Sequence, residues 1–520
     1  MFDHVIVGAG SAGCVLAARL SEDPGTRVLL LEAGGADSRR EIRIPVAFSR
    51  LFGTECDWAY QTVPQVRLGG RRLYWPRGKV LGGSSSINAM MWVRGVPADY
   101  DGWERLGADG WNYADAVTYF KRIEDAVRRD PEHQGIGGPL RVEEQRSTNP
   151  GTHLFVEACL NAGIARNFNA NAVTNEGVDY TVVSQRRGVR CTTAGAYLAP
   201  ALRRPNLTVA TRAHVTGVVI ERGRAAGVTY RHDGSLRMVR AEREVVLAGG
   251  AINSPQLLLL SGIGPADELR AMGIRPLVDL PGVGRNLLDH LAVGIVARTT
   301  RTDSLLVAER PSELARYVLA RRGMLTSNVA EAHAFIRSAA DLDQPDLELL
   351  FAPVPFVDHG RARPTGHGYT IGAILLQPRS TGTIRLAAAD PLAPPLIDPN
   401  YLADADDLRV AITGMKRAAE VFGTAPLSDV VGDFMVPETA PRTDAEYAAA
   451  VRAVAETLYH PVGTCRMGSD DMAVVDPQLR VRGVDGLRVA DAAVMPTLIR
   501  GHTNAPTIMI GEKASDLLRA

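Results

Sequence analysis

Lysine is scarce in this 520-residue chain, at four positions (Lys79, Lys121, Lys416 and Lys513) out of 58 Lys+Arg. The arginine bias reflects coding composition rather than phosphate recognition. Asp+Glu also total 58, so no global field draws the protein to nucleic acid or an anionic membrane, and a small neutral substrate fits that balance. Cysteine is sparse too: Cys14, Cys56, Cys159, Cys191 and Cys465 are odd in number, scattered and without CxxC or metal-ligand spacing. That pattern excludes a disulfide framework, predicts no metal site and points to a reducing compartment. Long apolar runs are missing, since stretches such as Leu257 to Leu260 fall far short of a membrane span. No basic leader or cleavage site precedes Val5-Ile6-Val7. A cytoplasmic protein without a membrane span is expected, with contact at a membrane surface left open.

What is present is 46% hydrophobic and 22% charged, globular material long enough for more than one domain. Neither a repeat nor a low-complexity tract divides it, so boundaries follow from motifs. The opening reads as strand His4 to Val7, turn Gly8 to Gly13, helix through Leu20 and strand Arg27 to Leu31, one βαβ unit. Similar passages at Glu244 to Leu260 and from Leu487 onward predict one α/β domain assembled from both ends and the middle of the chain. Asp346 to Phe356 and Tyr369 to Leu386 read as long strands, and Asp404 to Leu458 as Ala-rich helix covering them. The expected fold class is α/β: a discontinuous Rossmann-type dinucleotide-binding domain (1–150, 190–300 and 455–520) with an inserted α+β substrate domain on an antiparallel sheet (151–189 and 301–454).

Gly8-Ala9-Gly10-Ser11-Ala12-Gly13 has GxGxxG spacing directly after a strand, and Glu32, followed by Ala33, closes the next strand, where such a carboxylate binds a ribose hydroxyl. The glycines let the backbone turn and approach a pyrophosphate, while the helix start supplies amides and a positive dipole end. A carboxylate at this position disfavours a ribose 2′-phosphate and hence NADP. Between NAD and FAD a second loop bears on the choice. Arg77 to Asn88 carries Gly82-Gly83-Ser84-Ser85-Ser86 without a bulky side chain, flanked by the apolar Val80, Leu81, Ile87 and Met90. Such a loop lies against a flat, phosphate-bearing cofactor, and a nicotinamide cofactor does not need it.

With these stretches, and with Gly250 to Gly264, Tyr459 to Gly468 and Gly486 to Lys513, the sequence resembles the glucose-methanol-choline (GMC) oxidoreductase family over essentially its whole length. Within it, the chain is most similar to choline-dehydrogenase-like and bacterial alcohol dehydrogenase members, through Leu73 to Lys79, Leu325 to Glu331 and Pro395 to Tyr401. The resemblance implies an FAD-dependent enzyme acting on the CH–OH group of an alcohol. It also implies a cofactor wall that adds Gly82, Ser86, Asn88, Ala89, Met90, Met91, Val215, Asp491, Ala492, Thr503, Asn504 and Ala505 to the first loop. Some relatives tether FAD through a histidine where this chain has Ile87, so noncovalent FAD is expected.

An alkoxide expels hydride far more readily than an alcohol, so the reaction needs a base, and histidine with an ordinary pKa of about 6.5 suits neutral pH. The resemblance puts His460 at the base position and His502 at a second catalytic position that is Asn in choline-acting members. The expected reaction is deprotonation by His460 while His502 holds the oxygen, hydride transfer to flavin N5, and reoxidation by oxygen, a quinone or another redox carrier. Resemblance to dehydrogenases favours a carrier over an oxidase reaction. Asn504 to Leu518 reads as a helix with Pro506 in its first turn, its N-terminus stabilising charge on the reduced flavin. A hydroxynitrile lyase, a flavin-dependent photodecarboxylase and a non-enzymatic flavoprotein are the rival readings. Of the remaining histidines, His290 is expected to order a loop, and His333 and His359 to neighbour the pocket. Glu331 is weighed as a partner for a trimethylammonium group, without aromatic residues clustered beside it.

Overall fold

The structure is a computed structural model that describes residues 1–127, 130, 132–362 and 364–520. Val5-Ile6-Val7 is apolar without alternation, as a strand buried on both faces requires, and Phe2–Val7 runs down the middle of a seven-stranded sheet. Val28–Leu31 and Ser235–Leu247 flank it in parallel, and Leu207–Ala210 and Leu487–Val489 extend the two sides, also parallel. The first half of Ser235–Leu247 leaves this array to pair antiparallel with Arg224–His232, which pairs in turn with His214–Glu221. Helices Ser11–Leu20 and Asn504–Arg519 lie side by side in the same core, which Val15, Leu16, Ile508 and Ile510 help to fill. Gly511 permits the close approach, since a Cβ there would stand 3.0 Å from Ala12 Cα.

A second, six-stranded sheet follows the order Ala332–Ile336, Leu347–Ala352, Gly368–Leu375, Leu291–Thr299 and Val431–Val436, with Glu456–Thr457 paired to the start of Leu291–Thr299. Every pairing in it is antiparallel. Side chains alternate across such a sheet. Val293, Ile295, Leu349, Phe351, Ile371 and Ala373 enter a core completed by Phe155 of helix Pro150–Asn161 and Met415 of helix Ala405–Phe422. Their neighbours Ala292, Gly294, Val296, Leu350, Ala352, Thr370, Gly372 and Ile374 turn to the opposite face, where they line a cavity.

Three details differ from the reading of the sequence. Leu291–Thr299, within the stretch expected for the dinucleotide domain, pairs in the second sheet, and so does Glu456–Thr457. Apolar alternation predicts a strand but carries no information on which sheet it joins. Tyr369 to Leu386 is two strands, Gly368–Leu375 and Thr383–Arg385, the latter paired with Leu396–Asp398 in a separate two-stranded sheet. Asp404 to Leu458 holds helices Ala405–Phe422 and Asp444–Val454, with strand Val431–Val436 between them. Among the described residues no helix is long and apolar enough to cross a membrane.

Phe351 is fully buried and stacks on Phe155, with centroids 4.7 Å apart and planes 14° from parallel. Phe351→Ala is therefore expected to lower stability by about 3–5 kcal/mol in urea unfolding. A loss below about 1 kcal/mol would show that the helix and the sheet are not one packed unit.

Candidate active site

Both sheets contribute to a cavity of about 620 Å³ that reaches from the first glycine turn to the antiparallel sheet. Three glycines let the backbone segments around it touch. A Cβ on Gly8, whose φ is 99°, would lie 2.6 Å from the Ala248 carbonyl oxygen; one on Gly13 would lie 1.9 Å from that of Gly8, and one on Gly83 2.7 Å from Gly10 Cα. The Gly82 N–H donates to the Ala9 carbonyl at 2.8 Å, so the two glycine-rich loops form one surface. Helices Ser11–Leu20 and Asn504–Arg519 both begin at this surface without a side-chain cap, leaving positive, amide-bearing ends toward the cavity. Ser11 Oγ donates to Asn504 Oδ1 at 2.7 Å and ties the two starts together.

Glu32 is buried beside this surface and accepts from the N–H groups of Ala9 at 2.8 Å and Gly34 at 2.7 Å. Burial pushes its carboxyl up to about 7. A carboxylate has about four acceptor sites, so ribose hydroxyls fit beside those amides. The glycine approach, the uncapped helix starts and Glu32 together suit a flavin dinucleotide.

Gly8, Gly10, Ser11, Ala12, Glu32, Ala33, Asn88, Ala89, Met90, Met91, Val215, Asp491, Ala492, Thr503 and Asn504 line the cavity, as do His460 and His502. Gly13, Gly82, Ser86 and Ala505 stand outside that lining. Ser86 Oγ donates to the Leu81 carbonyl, and Ala505 is packed in the core. Asp491 spends its carboxylate inside the protein, on the N–H groups of Gly250 and Ala493 and on Ser254 Oγ.

At the antiparallel sheet a chain of hydrogen bonds settles the tautomer of His460. His290 Nε2 lies 3.1 Å from the Leu376 carbonyl, which only accepts, so Nε2 carries the hydrogen. Burial, reinforced by His502, pushes His290 down to about 4, so the ring is neutral and its Nδ1 is an acceptor. That Nδ1 stands 2.9 Å from His460 Nδ1, which must donate. His460 is left with a lone pair on Nε2. Burial holds His460 well below the ordinary histidine range, with His502, His290 and Arg77 acting in the same direction.

The rings of His460 and His502 meet edge to face, 4.9 Å between centroids. His502 Nε2 donates to Glu348 Oε1 at 3.1 Å, and His333 Nδ1 lies 3.3 Å from the same oxygen. Burial alone would raise the Glu348 carboxyl, but His502 and His333 outweigh it and hold the group well below the usual carboxylate range. The backbone before His460 is strained: Tyr459 has a φ of 67°, in the left-handed region. Arg77 Nη2 donates to its carbonyl at 2.6 Å, and buried Asp289 accepts from the His460 N–H at 2.7 Å, from Thr457 Oγ1 at 2.6 Å and from the Tyr401 hydroxyl.

His290, expected to order a loop, bonds directly to His460, because Asp289 and the strand after it hold its buried ring beside that histidine. Sequence reasoning missed Glu348, whose signal is a lone carboxylate in the apolar strand Leu347–Ala352, and the Asp289 anchor. His333 is linked to His502 through their shared Glu348 oxygen. His359 lines the cavity with Nδ1 2.7 Å from the Tyr459 hydroxyl. Glu331 does not offer its carboxylate to the cavity: it is buried and accepts from the Asn149 N–H, Thr152 Oγ1 and Ser327 Oγ at 2.6–2.7 Å.

Residues 2–292 and 378–511 each match the family described as GMC oxidoreductase. An uncharacterized GMC-type oxidoreductase of Mycobacterium tuberculosis is 52% identical over 100% of this chain and 99% of its own length. An alcohol dehydrogenase [acceptor] of Pseudomonas putida is 44% identical over 100% of this chain and 96% of its own. Among solved structures, a formate oxidase variant of Aspergillus oryzae, described for the effect of mutation on FAD modification, superposes with a TM-score of 0.93 at 30% identity, covering 100% of this chain and 98% of that one.

Gly83 has a φ of 52° and no room for a Cβ against Gly10. Gly83→Ala should part the two loops and lower bound flavin, read as 450 nm absorbance per chain, by about tenfold or more. Unchanged flavin content would show that this loop contact does not shape the cofactor cradle.

Proposed function

Because the chain belongs to the GMC oxidoreductases, FAD-dependent enzymes that act on alcohols, we propose that it oxidises a neutral, apolar alcohol to an aldehyde or ketone with His460 as the base. The observation that carries this reading is the chain from the Leu376 carbonyl through His290 to His460, which leaves an unprotonated Nε2 on a residue lining the cavity. Bound noncovalently, since Ile87 offers no nucleophile for a tether, FAD supplies the acceptor for the carbinol hydride. The two glycine loops, Glu32 and the starts of helices Ser11–Leu20 and Asn504–Arg519 would hold it. The parallel sheet and its helices then form the FAD-binding unit, and the antiparallel sheet the substrate-binding one.

His460 Nε2 accepts the hydroxyl proton, and its Nδ1–H, bonded to His290, delocalises the charge that results. His502, with Nε2 committed to Glu348, turns its other ring nitrogen to the substrate oxygen. His290 and Glu348 are positioning residues that set which nitrogen of each partner faces the substrate. Opposite them, Ala292, Gly294, Val296, Leu350, Ala352 and Ile374 make an apolar wall, and a Cβ on Gly294 would meet only open space. Three groups that could meet a cationic alcohol are engaged within the protein, although Phe48, Phe52, Phe356 and Tyr459 also line the cavity. Arg71 pairs with Glu456, Arg361 lies 4.2 Å from the Tyr74 ring centroid, and Glu331 is consumed by internal hydrogen bonds. Similarity to an alcohol dehydrogenase [acceptor] supports a quinone or protein carrier as oxidant, with oxygen as the alternative. A hydroxynitrile lyase would use the same histidine pair without turnover of the flavin.

Anaerobic mixing separates these readings, because an apolar primary or aryl alcohol should bleach the flavin. A flavin that stays yellow while cyanohydrin is cleaved would establish the lyase, and choline as the best substrate would refute the apolar assignment. His460→Ala should lower kcat/KM by about 10²–10⁴-fold with flavin retained, and full activity would remove His460 as the base. His290→Phe should lower kcat with little change in KM, whereas an unchanged kcat would break the tautomer argument. Protonated His460 cannot accept a proton, and its depressed pKa moves the acid limb downward. The kcat/KM profile should thus stay level above pH 6.5 and fall only below it; a midpoint above 6.5 would contradict the site electrostatics.

A further inference from the structure

We propose that helix Pro311–Ala320 seats the protein on an anionic lipid surface. Glu313 and Tyr317 are its buried side, and Tyr317 packs with Ala308, Leu325, Val46 and Met324. The opposite side carries Leu314, Val318 and Leu319, which are 51%, 61% and 86% exposed. At about 100° per residue these three share one arc of about 140° with Ala315. A surface helix ordinarily turns a polar face outward, and this one is inverted. Single exposed apolar side chains are common, but a contiguous ridge of them marks a contact surface.

Local charge indicates what the contact is. Although Lys+Arg and Asp+Glu balance over the whole chain, the ridge is bordered by Arg310, Arg316, Arg321 and Arg322. Arg146 Nε donates to the Arg321 carbonyl at 2.9 Å, and exposed Arg187 precedes Gly188, whose Cβ would lie 2.8 Å from the same oxygen. The acids on this segment are Glu309, paired with Arg50, and Glu313, paired with Arg316. An apolar ridge framed by arginines matches a bilayer with anionic headgroups. A second copy of the same patch would set arginine against arginine.

This docking follows from the surface and is independent of the chemistry proposed above. It has a consequence for it, though. Val46 and Met324 also pack against Phe48, Leu305 and Val329, and Phe48 and Val329 line the cavity, so apolar side chains run without a break from the lipid-facing helix to the substrate wall.

The test is co-sedimentation of the full-length holoenzyme with vesicles of phosphatidylcholine, alone or mixed with phosphatidylglycerol. The protein should sediment with the mixed vesicles at low salt and much less with phosphatidylcholine alone. Val318→Glu with Leu319→Glu should lower partitioning by about tenfold or more while flavin content and turnover of a water-soluble alcohol stay unchanged. Arg321→Gln with Arg322→Gln should weaken binding only to the anionic vesicles. The proposal is overturned if the wild type stays in the supernatant with every vesicle, or if the Val318/Leu319 variant sediments like the wild type. A concentration-dependent dimer in light scattering that this variant abolishes would equally overturn it, in favour of a second copy on the ridge.

Discussion

The 2.9 Å contact between His290 and His460 depends on strand register. His290 immediately precedes the strand Leu291–Thr299, and His460 lies three residues after Glu456–Thr457, with Leu291 paired to Thr457. The Leu458 N–H donates to the His290 carbonyl at 2.9 Å, and Asp289 accepts from the His460 N–H. Two imidazoles far apart in the chain are thereby placed by backbone pairing rather than by flexible side chains. A slip of one residue would turn every side chain of the strand to the other face, and would take His290 away from His460 along with it.

Around that contact the protein treats neighbouring histidines unequally. On one side a carbonyl, a neutral ring and a second ring transmit a tautomer without net charge. On the other a buried carboxylate lies between His502 and His333. Groups of the same type acquire different roles when burial and partners differ in this way. Tyr459 marks where the backbone bends to let both sets meet, its left-handed conformation held by Arg77 and Thr457. Val329, a β-branched residue with a φ of 72°, lines the same cavity, so strain concentrates where side chains are re-aimed.

What the sequence made legible was local. Gly8, Gly10, Gly13 and Glu32 lie within one βαβ unit, so their spacing alone carries the geometry. His460 and His502 sit in contiguous motifs and were named through the family resemblance those motifs carry. His290, Glu348 and Asp289 act through tertiary partners: a carbonyl 86 residues away for His290, a ring 154 residues away for Glu348, and an amide 171 residues away for Asp289. No spacing rule encodes such pairs. The strand Leu291–Thr299 falls inside the stretch assigned to the dinucleotide domain but joins the second sheet, because position in the chain does not report the identity of a strand's neighbour. Glu348 was the one missed residue with a local signature, a charge within Leu-Glu-Leu-Leu-Phe-Ala, where burial without partners would cost several kcal/mol.

The antiparallel sheet divides its two tasks between its faces. Val293, Ile295, Leu349, Phe351 and Ile371 pack against helices Pro150–Asn161 and Ala405–Phe422, and that face supplies the cohesion. On the cavity face the same strands carry Ala292, Gly294, Ala352 and Gly372. Glycine within a strand weakens it and leaves nothing to pack, so a sheet selected for stability alone would not place two there. Their value lies in the volume they leave beside His460 and His502. Because the residues that clear this space sit on rigid, paired backbone, the room for substrate is a fixed property of the fold. The chemistry of the alcohol that fits is then decided by which small or apolar side chain stands at each alternate position.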